Sequence, residues 1–445
     1  MSRNDAINQP GGTASDPSRN GMATRVRYQV LAVGWSLGLL IYIQRQAFVR
    51  AVPKIQSELG FSTEQAGLLA SVFLVAYGLF QVPCGLIGDR VGARHLMTIL
   101  VVGWSLLTGI SALVGVLPLD ATWQFTLLLV LRFLFGMFQA GGFPVWARVV
   151  SDWMPVTERG TAQGTVWMFS RLGGALSPFL FYWLYGFFGT WRTPLWIIGG
   201  LGLVWSAVFW CWFRNRPSEM STVNAAELEL IDSGRSTVAA GPVPWLAMLT
   251  SINIWALSIM YGCVGFSGNF VTNLLPVYLT EYRHLPDNVT TWITAMPLFM
   301  GMISCGLGGF LTDWLTRRIG RKWGRRLVPS IGLASAGLAV VSVPHVEAVW
   351  LLGLLFSASF CFNDLMMGSA WASCADVGER YAGTVSGTMN MIGQFAGAAG
   401  MYFAGVMLQS GRAETLFIVF GCSYALAALC WMAVDVTRPI SASQS

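Results

Sequence analysis

From Val30 to Val434 the sequence alternates long apolar runs with short polar turns. Each run holds roughly 20 residues, enough as a helix to cross about 30 Å of hydrocarbon. Twelve can be counted. The first six lie at about Tyr28–Pro53, Thr63–Cys84, His95–Leu117, Thr122–Val150, Thr161–Phe188 and Trp191–Phe213. A polar stretch, Arg214–Pro244, follows, carrying Arg214, Arg216, Glu219, Glu227, Glu229, Asp232 and Arg235, and it reads as a linker with a short surface helix near Ala225–Ile231. The pattern predicts an all-α membrane protein of twelve transmembrane helices in two six-helix halves, 26–213 and 245–436, joined by 214–244. Residues 1–25, rich in Gly, Ser, Asn and Pro, predict a disordered tail, and 437–445 a second one.

The second half repeats the first. Gly85 through Asp89, Arg90, Gly92 and Arg94 has a counterpart in Gly309, Asp313, Arg317, Arg318, Gly320 and Arg321. Asp89 and Asp313 are 313 − 89 = 224 apart, and Asp152 and Asp376 are 376 − 152 = 224 apart. Each of the latter two is followed by Glu-Arg and then Gly-Thr. Two landmarks at one spacing indicate a duplicated six-helix unit.

Composition agrees with this reading: 54% of residues are hydrophobic and 11% charged, against about 25% charged in soluble domains. The net charge of +6 is not a nucleic-acid footprint, because its distribution follows the turns. With the N-terminus inside, the cytoplasmic side receives nineteen of the 27 Lys and Arg and the other side five, which places both termini in the cytoplasm of a cell-membrane protein. The eight cysteines sit in or beside apolar runs without a CxxC pair, so they read as small packing residues rather than metal ligands or a disulfide framework.

The three remaining arginines, Arg45, Arg132 and Arg171, lie inside apolar runs of the first half. A guanidinium there costs at least ~2.5 kcal/mol and normally faces a bundle interior or a wet cavity. Arg132, Gly136 and Gln139 share one helix face in Leu131–Pro144, Tyr42, Gln44 and Arg45 cluster in the first run, and Phe73, Tyr77 and Gln81 share a face in the second. In the second half Asp364 shares a face with Trp371, Asn390 with Gln394, and Asn269 with Asn273. If the three arginines and Asp364 line one cavity, its charge is +3 − 1 = +2, which favours an anion, with Asn, Gln, Tyr and Trp for hydroxyl groups. Each also admits a plainer role: Arg45 can snorkel, Arg132 can lock helices together, and Arg171 and Asp364 can serve packing. Asp89, with Arg90 and Arg94, reads as pairing with helix ends across the halves to hold the cytoplasmic side shut, with Asp313 as its counterpart in the gate, whereas Arg321–Arg326 read as topology-setting. No nucleophile–base pair is visible, the three histidines (His95, His284, His345) lie in or near loops, and no enzyme, cofactor or metal is expected.

The run Gly85-x-x-x-Asp89-Arg90-x-Gly92-x-Arg94 is similar to the loop signature of the major facilitator superfamily, and Gly309…Asp313…Gly320-Arg321 to its weaker copy. Within it the chain resembles the organic-anion (anion:cation symporter) family, which holds bacterial hexuronate, galactonate and glucarate transporters. That likeness rests on Tyr42-Ile-x-Arg45, Tyr77…Gln81-x-Pro83, Arg132-x-x-x-Gly136-x-x-x-Ala140-x-x-Phe143-Pro144 and Gly387-x-x-Asn390-x-x-Gly393. It implies alternating access to a small organic anion of the sugar-acid type, with Arg45 and Tyr77 at the carboxylate, Trp371, Asn390 and polar groups of the fifth run at its hydroxyls, and Arg132 beside a coupling acid. The chain departs from the resemblance at two positions. The family's proton-coupled members carry acids where this chain has Gln44 and Gln139, and glutamine cannot titrate. Coupling is then either absent, leaving a facilitator or anion exchanger, or moved to Asp364 or to the substrate's own carboxylate. A more highly charged substrate, such as a sugar diacid, is expected to be tolerated. A sensor that binds without transporting is the alternative from another class, and the acid-poor first half speaks against a cationic-drug exporter. The expected partners are the anion, a co-transported proton or cation, and the lipid bilayer, with the chain acting as a monomer and without nucleic acid.

Overall fold

The structure is a computed structural model that describes residues 22–233 and 243–440. Most of the expected 1–25 tail, with Arg3 and Arg19, lies outside the described residues, as do Arg235 and the last five residues of the 437–445 tail.

Among the described residues every element is helical. The first part of the chain forms α1 (Val26–Leu59), α2 (Thr63–Leu79), α3 (Gln81–Val91), α4 (Ala93–Ser111), α5 (Ala121–Ala140), α6 (Gly142–Trp153), α7 (Arg159–Phe188) and α8 (Arg192–Trp212). Two short helices, α9 (Ala225–Asp232) and α10 (Trp245–Thr250), precede the second part. That part comprises α11 (Ile252–Asn273), α12 (Leu275–Val277), α13 (Asp287–Ile319), α14 (Arg321–Ser342), α15 (Val349–Asp364), α16 (Met367–Gly378), α17 (Ala382–Gln409) and α18 (Ala413–Ala433). Among the described residues nine stretches are long and apolar enough to cross a membrane; Val349–Gln409 holds two passages and the bent pair α2/α3 adds another. The polar α7, with Arg159, Gln163 and Arg171, completes twelve.

Three membrane passages are broken, two of them runs that read as single helices. Pro83 and Pro144 lack the N–H that would bond the carbonyls of Leu79 and Ala140. Accordingly α2 and α3 meet at Phe80 with a bend of 43°, and α5 gives way to α6 at Gly141. The third break follows Asp364, where the Leu365 carbonyl lies against Gly308 of α13. The broken helices admit polar groups at mid-depth because neighbouring helices re-satisfy the freed backbone.

The surface helix expected near Ala225–Ile231 forms as α9, but it is anchored rather than free. The fully buried Glu227 carboxylate accepts hydrogen bonds from the Val26 and Arg27 amides at 3.1 Å each and pairs with the Arg27 guanidinium at 3.2 Å. Arg27 also pairs with Glu158 at 3.0 Å. A carboxylate at the first free N–H groups of α1 completes that helix end and complements its dipole.

Candidate functional site

The site grows from close contact between α2 and α5. A Cβ on Gly136 would stand 2.6 Å from the Phe73 carbonyl oxygen and 3.2 Å from the Tyr77 amide, so only glycine lets the two helices approach there. This places Phe73 and Tyr77 beside Arg132 of α5 and Arg45 of α1. The Arg45 guanidinium carbon lies 4.5 Å from the Tyr77 ring centre, 5.1 Å from Tyr42 and 5.2 Å from Phe73. Its Nε donates to the Gln139 side-chain carbonyl at 2.7 Å, while the Gln139 amide donates to the Ile41 carbonyl at 3.2 Å. Arg132 is 3% exposed and lies among Phe48, Phe73 and Phe135, at 4.2, 4.9 and 4.8 Å. Neither arginine forms an ion pair among the described residues, and Nη2 of Arg45 and Nε of Arg132 are buried without a hydrogen-bond partner. Ring faces stabilise such cations by about 0.5–2 kcal/mol, which leaves the positive potential uncancelled.

Beside this group, residues of both halves close an aromatic layer. Phe143 of α6 stacks on Trp167 of α7 at 4.4 Å, and both contact Trp371 of α16, at 5.7 and 5.6 Å. Tyr261 of α11 meets Trp371 edge-on at 6.3 Å, and Tyr42 meets Phe143 at 6.5 Å. On α17 the buried Asn390 accepts from Gln394 at 3.4 Å and leaves its own amide nitrogen unpartnered.

Arg171 of α7 and Asp364 of α15 face each other across the halves. Nε and Nη2 of Arg171 donate to the two carboxylate oxygens at 3.0 Å each, and the Asn363 amide and Cys305 thiol also donate to Asp364, at 3.0 and 3.5 Å. This pair is neutral, so the net +2 expected for the four intramembrane charges resides on Arg45 and Arg132.

Several expected residues stand elsewhere. Gln44 does not join Arg45: it is fully buried among α1, α4 and α8, donating to the Ile198 carbonyl at 2.8 Å and to Ser105 at 3.1 Å. Neighbouring residues on a helix point about 100° apart, which turns Gln44 away when Arg45 faces the group. Asn273 is exposed near the end of α11 and bonds within its own helix, to the Asn269 carbonyl at 2.9 Å and the Thr272 hydroxyl at 2.8 Å. Arg94 does not bridge the halves. It donates twice to the Trp210 carbonyl of α8, at 2.9 and 2.7 Å, and stacks on that ring, so it fastens the turn to its own half. Arg90 is exposed.

The closure uses carboxylates on helix ends, without Arg90 or Arg94. Asp89 accepts from the Gly383 and Thr384 amides at the start of α17, at 3.0 and 2.7 Å, and from the Thr384 hydroxyl at 2.6 Å. Asp313 does the same at the start of α7, accepting from Gly160 at 3.0 Å and Thr161 at 2.5 Å. Each duplicated aspartate thus caps the Gly-Thr helix start of the opposite half. Arg325, which read as a topology charge, is fully buried and pairs with Asp313 at 2.8 Å and Asp376 at 3.1 Å, and Arg159 adds a second contact to Asp376 at 2.7 Å. Arg148 pairs with Asp152 at 2.7 Å and reaches the Arg380 carbonyl of the other half. The signal for these partners was the Glu-Arg…Gly-Thr repeat itself.

The family model for the Major Facilitator Superfamily matches residues 34–401. The probable sulfoacetate transporter SauU of Cupriavidus necator is 30% identical over 412 residues, covering 91% of this chain and 93% of that protein. The hexuronate transporter of Bacillus subtilis is 26% identical over 425 residues, covering 94% and 96%. Among solved structures, the proton:xylose symporter XylE bound to a bromodeoxyglucose is similar in fold, with a TM-score of 0.74 at 14% identity over 93% of this chain and 96% of that one. FucP in its outward conformation has a TM-score of 0.67 at 14% identity, over 92% and 99%. With its twelve helices in two halves, the chain belongs to the major facilitator superfamily.

Proposed function

We propose that the chain is a secondary transporter of small organic dianions, carrying them by alternating access between the units 26–213 and 245–436. The observation that carries this is the pair Arg45 and Arg132, a half-buried and a buried cation side by side with no carboxylate partner among the described residues. In a site of low dielectric such charge is matched by an anion of similar valence. Arg45, partly accessible and with a free Nη2, is the carboxylate anchor, helped by Tyr42 and Tyr77. Arg132 holds the potential that favours a second negative group, and Trp371, Asn390 and Gln394 serve hydroxyls or the far end. Relatives named as carriers of sulfoacetate, of hexuronate and of galactarate or D-glucarate support an organic acid, and the first and last of these are doubly charged.

The arginine-rich end is cytoplasmic on this reading, with both termini inside a cell membrane and the chain acting as a monomer. The state in hand is then closed to the cytoplasm by Asp89 and Asp313. Two caps made of breakable hydrogen bonds suit a moving carrier better than a fixed sensor. The test is counterflow in proteoliposomes loaded with unlabelled glucarate. Labelled glucarate and sulfoacetate are expected to exchange, galactonate to compete weakly and xylose not at all. Exchange of xylose in preference to the acids, or binding of an acid without exchange, would overturn the proposal.

A further inference from the structure

Arg171 is an arginine of the binding region whose charge Asp364 cancels. Both oxygens of that carboxylate are occupied by Nε and Nη2 of Arg171, and the carboxylate is fully buried while the guanidinium is partly accessible. Arg171 sits one turn from Gly174, where a Cβ would stand 3.4 Å from the Tyr42 ring, and Tyr42 in turn lies under Arg45. The pair therefore adjoins the anion group rather than the closure at the Asp89 end. At the two positions that contact or flank Arg45, Gln139 and Gln44, no proton can be bound.

We propose that Asp364 is the residue that takes up the proton accompanying the anion, and that its protonation frees Arg171 to become a third positive charge for the bound anion. The inference rests on the anion-site reading above. The charged group facing Asp364 is Arg171 of α7. The titratable groups around it are Cys305 of α13 and Cys361 of its own helix, with Tyr42 of α1 and Tyr424 of α18 within electrostatic range. Asn363 supplies a neutral donor and Phe360 underlies the guanidinium at 5.0 Å. A proton on Asp364 removes one negative charge from this neighbourhood and strengthens anion binding. By reciprocity, a bound anion favours the protonated carboxyl. Proton and anion then travel together even though Gln44 and Gln139 cannot titrate.

The experiment measures equilibrium binding of labelled glucarate and sulfoacetate to the purified full chain over a pH series. For a unit charge roughly 10 Å from the anion at an effective dielectric near 20, wild-type affinity is expected to rise about tenfold as the pH falls. Asp364→Asn is expected to bind at every pH as the wild type does in acid, and Asp364→Glu to keep a pH response. Should Asp364→Asn alone fail to fold, with Arg171 left unpaired, the double variant Arg171→Gln/Asp364→Asn carries the test: its binding is expected to be flat with pH and close to the wild type's alkaline value. A wild type that binds without pH response, or a variant lacking Asp364 that keeps the wild-type response, overturns the assignment of Asp364 alone. Failure of both probes to bind at any pH overturns the anion-site reading and this inference with it.

Discussion

Replacing Gln139 with glutamate tests how much of the site's affinity depends on leaving Arg45 without a counter-charge. The Gln139 carbonyl sits 2.7 Å from Nε of Arg45 and its amide bonds the Ile41 carbonyl, so Gln139→Glu puts a carboxylate on the guanidinium with almost no change of shape. A ligand carboxylate bound at Arg45 would lie roughly 5 Å from the new one. At an effective dielectric near 20 their repulsion is about 3 kcal/mol, a loss of roughly 100-fold in affinity. Protonation of the introduced group removes the repulsion and restores a donor toward Ile41. The ratio of mutant to wild-type affinity is therefore expected to be small in alkali and to approach one in acid, and proton-driven accumulation in proteoliposomes to increase. Isothermal titration with glucarate across pH gives the ratio directly, and taking it at each pH separates this effect from any response of Asp364. A ratio that is independent of pH, or above one in alkali, would refute the placement of the anion at Arg45.

Three further outcomes follow from the packing. Glu227→Ala removes two caps of α1 and a buried partner of Arg27, which is expected to cost about 2–4 kcal/mol and lower the melting temperature while leaving anion affinity unchanged. Arg325→Ala leaves the buried Asp313 and Asp376 carboxylates facing each other without their shared cation, an expected loss of about 3–5 kcal/mol seen as failure to survive detergent at moderate temperature. Asp89→Asn presents an amide N–H to one of the donors it now accepts from, at about 1–3 kcal/mol, and is expected to speed hydrogen exchange at the start of α17.

The architecture was largely legible in the sequence because membrane thickness sets the length of each apolar run and the repeat at a spacing of 224 marks the two halves. The helix breaks were less so: Pro83 and Pro144 are visible, but whether a proline bends or splits a membrane helix depends on which neighbours satisfy the freed carbonyl. Arg45, Tyr42, Tyr77, Arg132 and Gln139 could be grouped from helix faces. Gln44 could not be placed, since its environment is fixed by Ser105 and the Ile198 carbonyl, on α4 and α8. Nor could the sequence show that Arg171 is already paired to Asp364, a contact between residues 193 positions apart. The Gly-Thr copies were noticed as landmarks. Their purpose needed the structure: a Cβ on Gly383 would stand 2.8 Å from an Asp89 carboxylate oxygen, and one on Gly160 would stand 2.7 Å from Asp313.

The central claim is that Arg45 is the anchor of a dianion site. The direct measurement is binding of labelled glucarate to wild type, Arg45→Lys and Arg45→Ala in the same detergent, each shown to be folded by its melting curve. Wild type is expected to bind, Arg45→Lys to bind more weakly because a point charge cannot make the paired hydrogen bonds, and Arg45→Ala to lose at least about 100-fold. A folded Arg45→Ala that binds glucarate as the wild type does would contradict it.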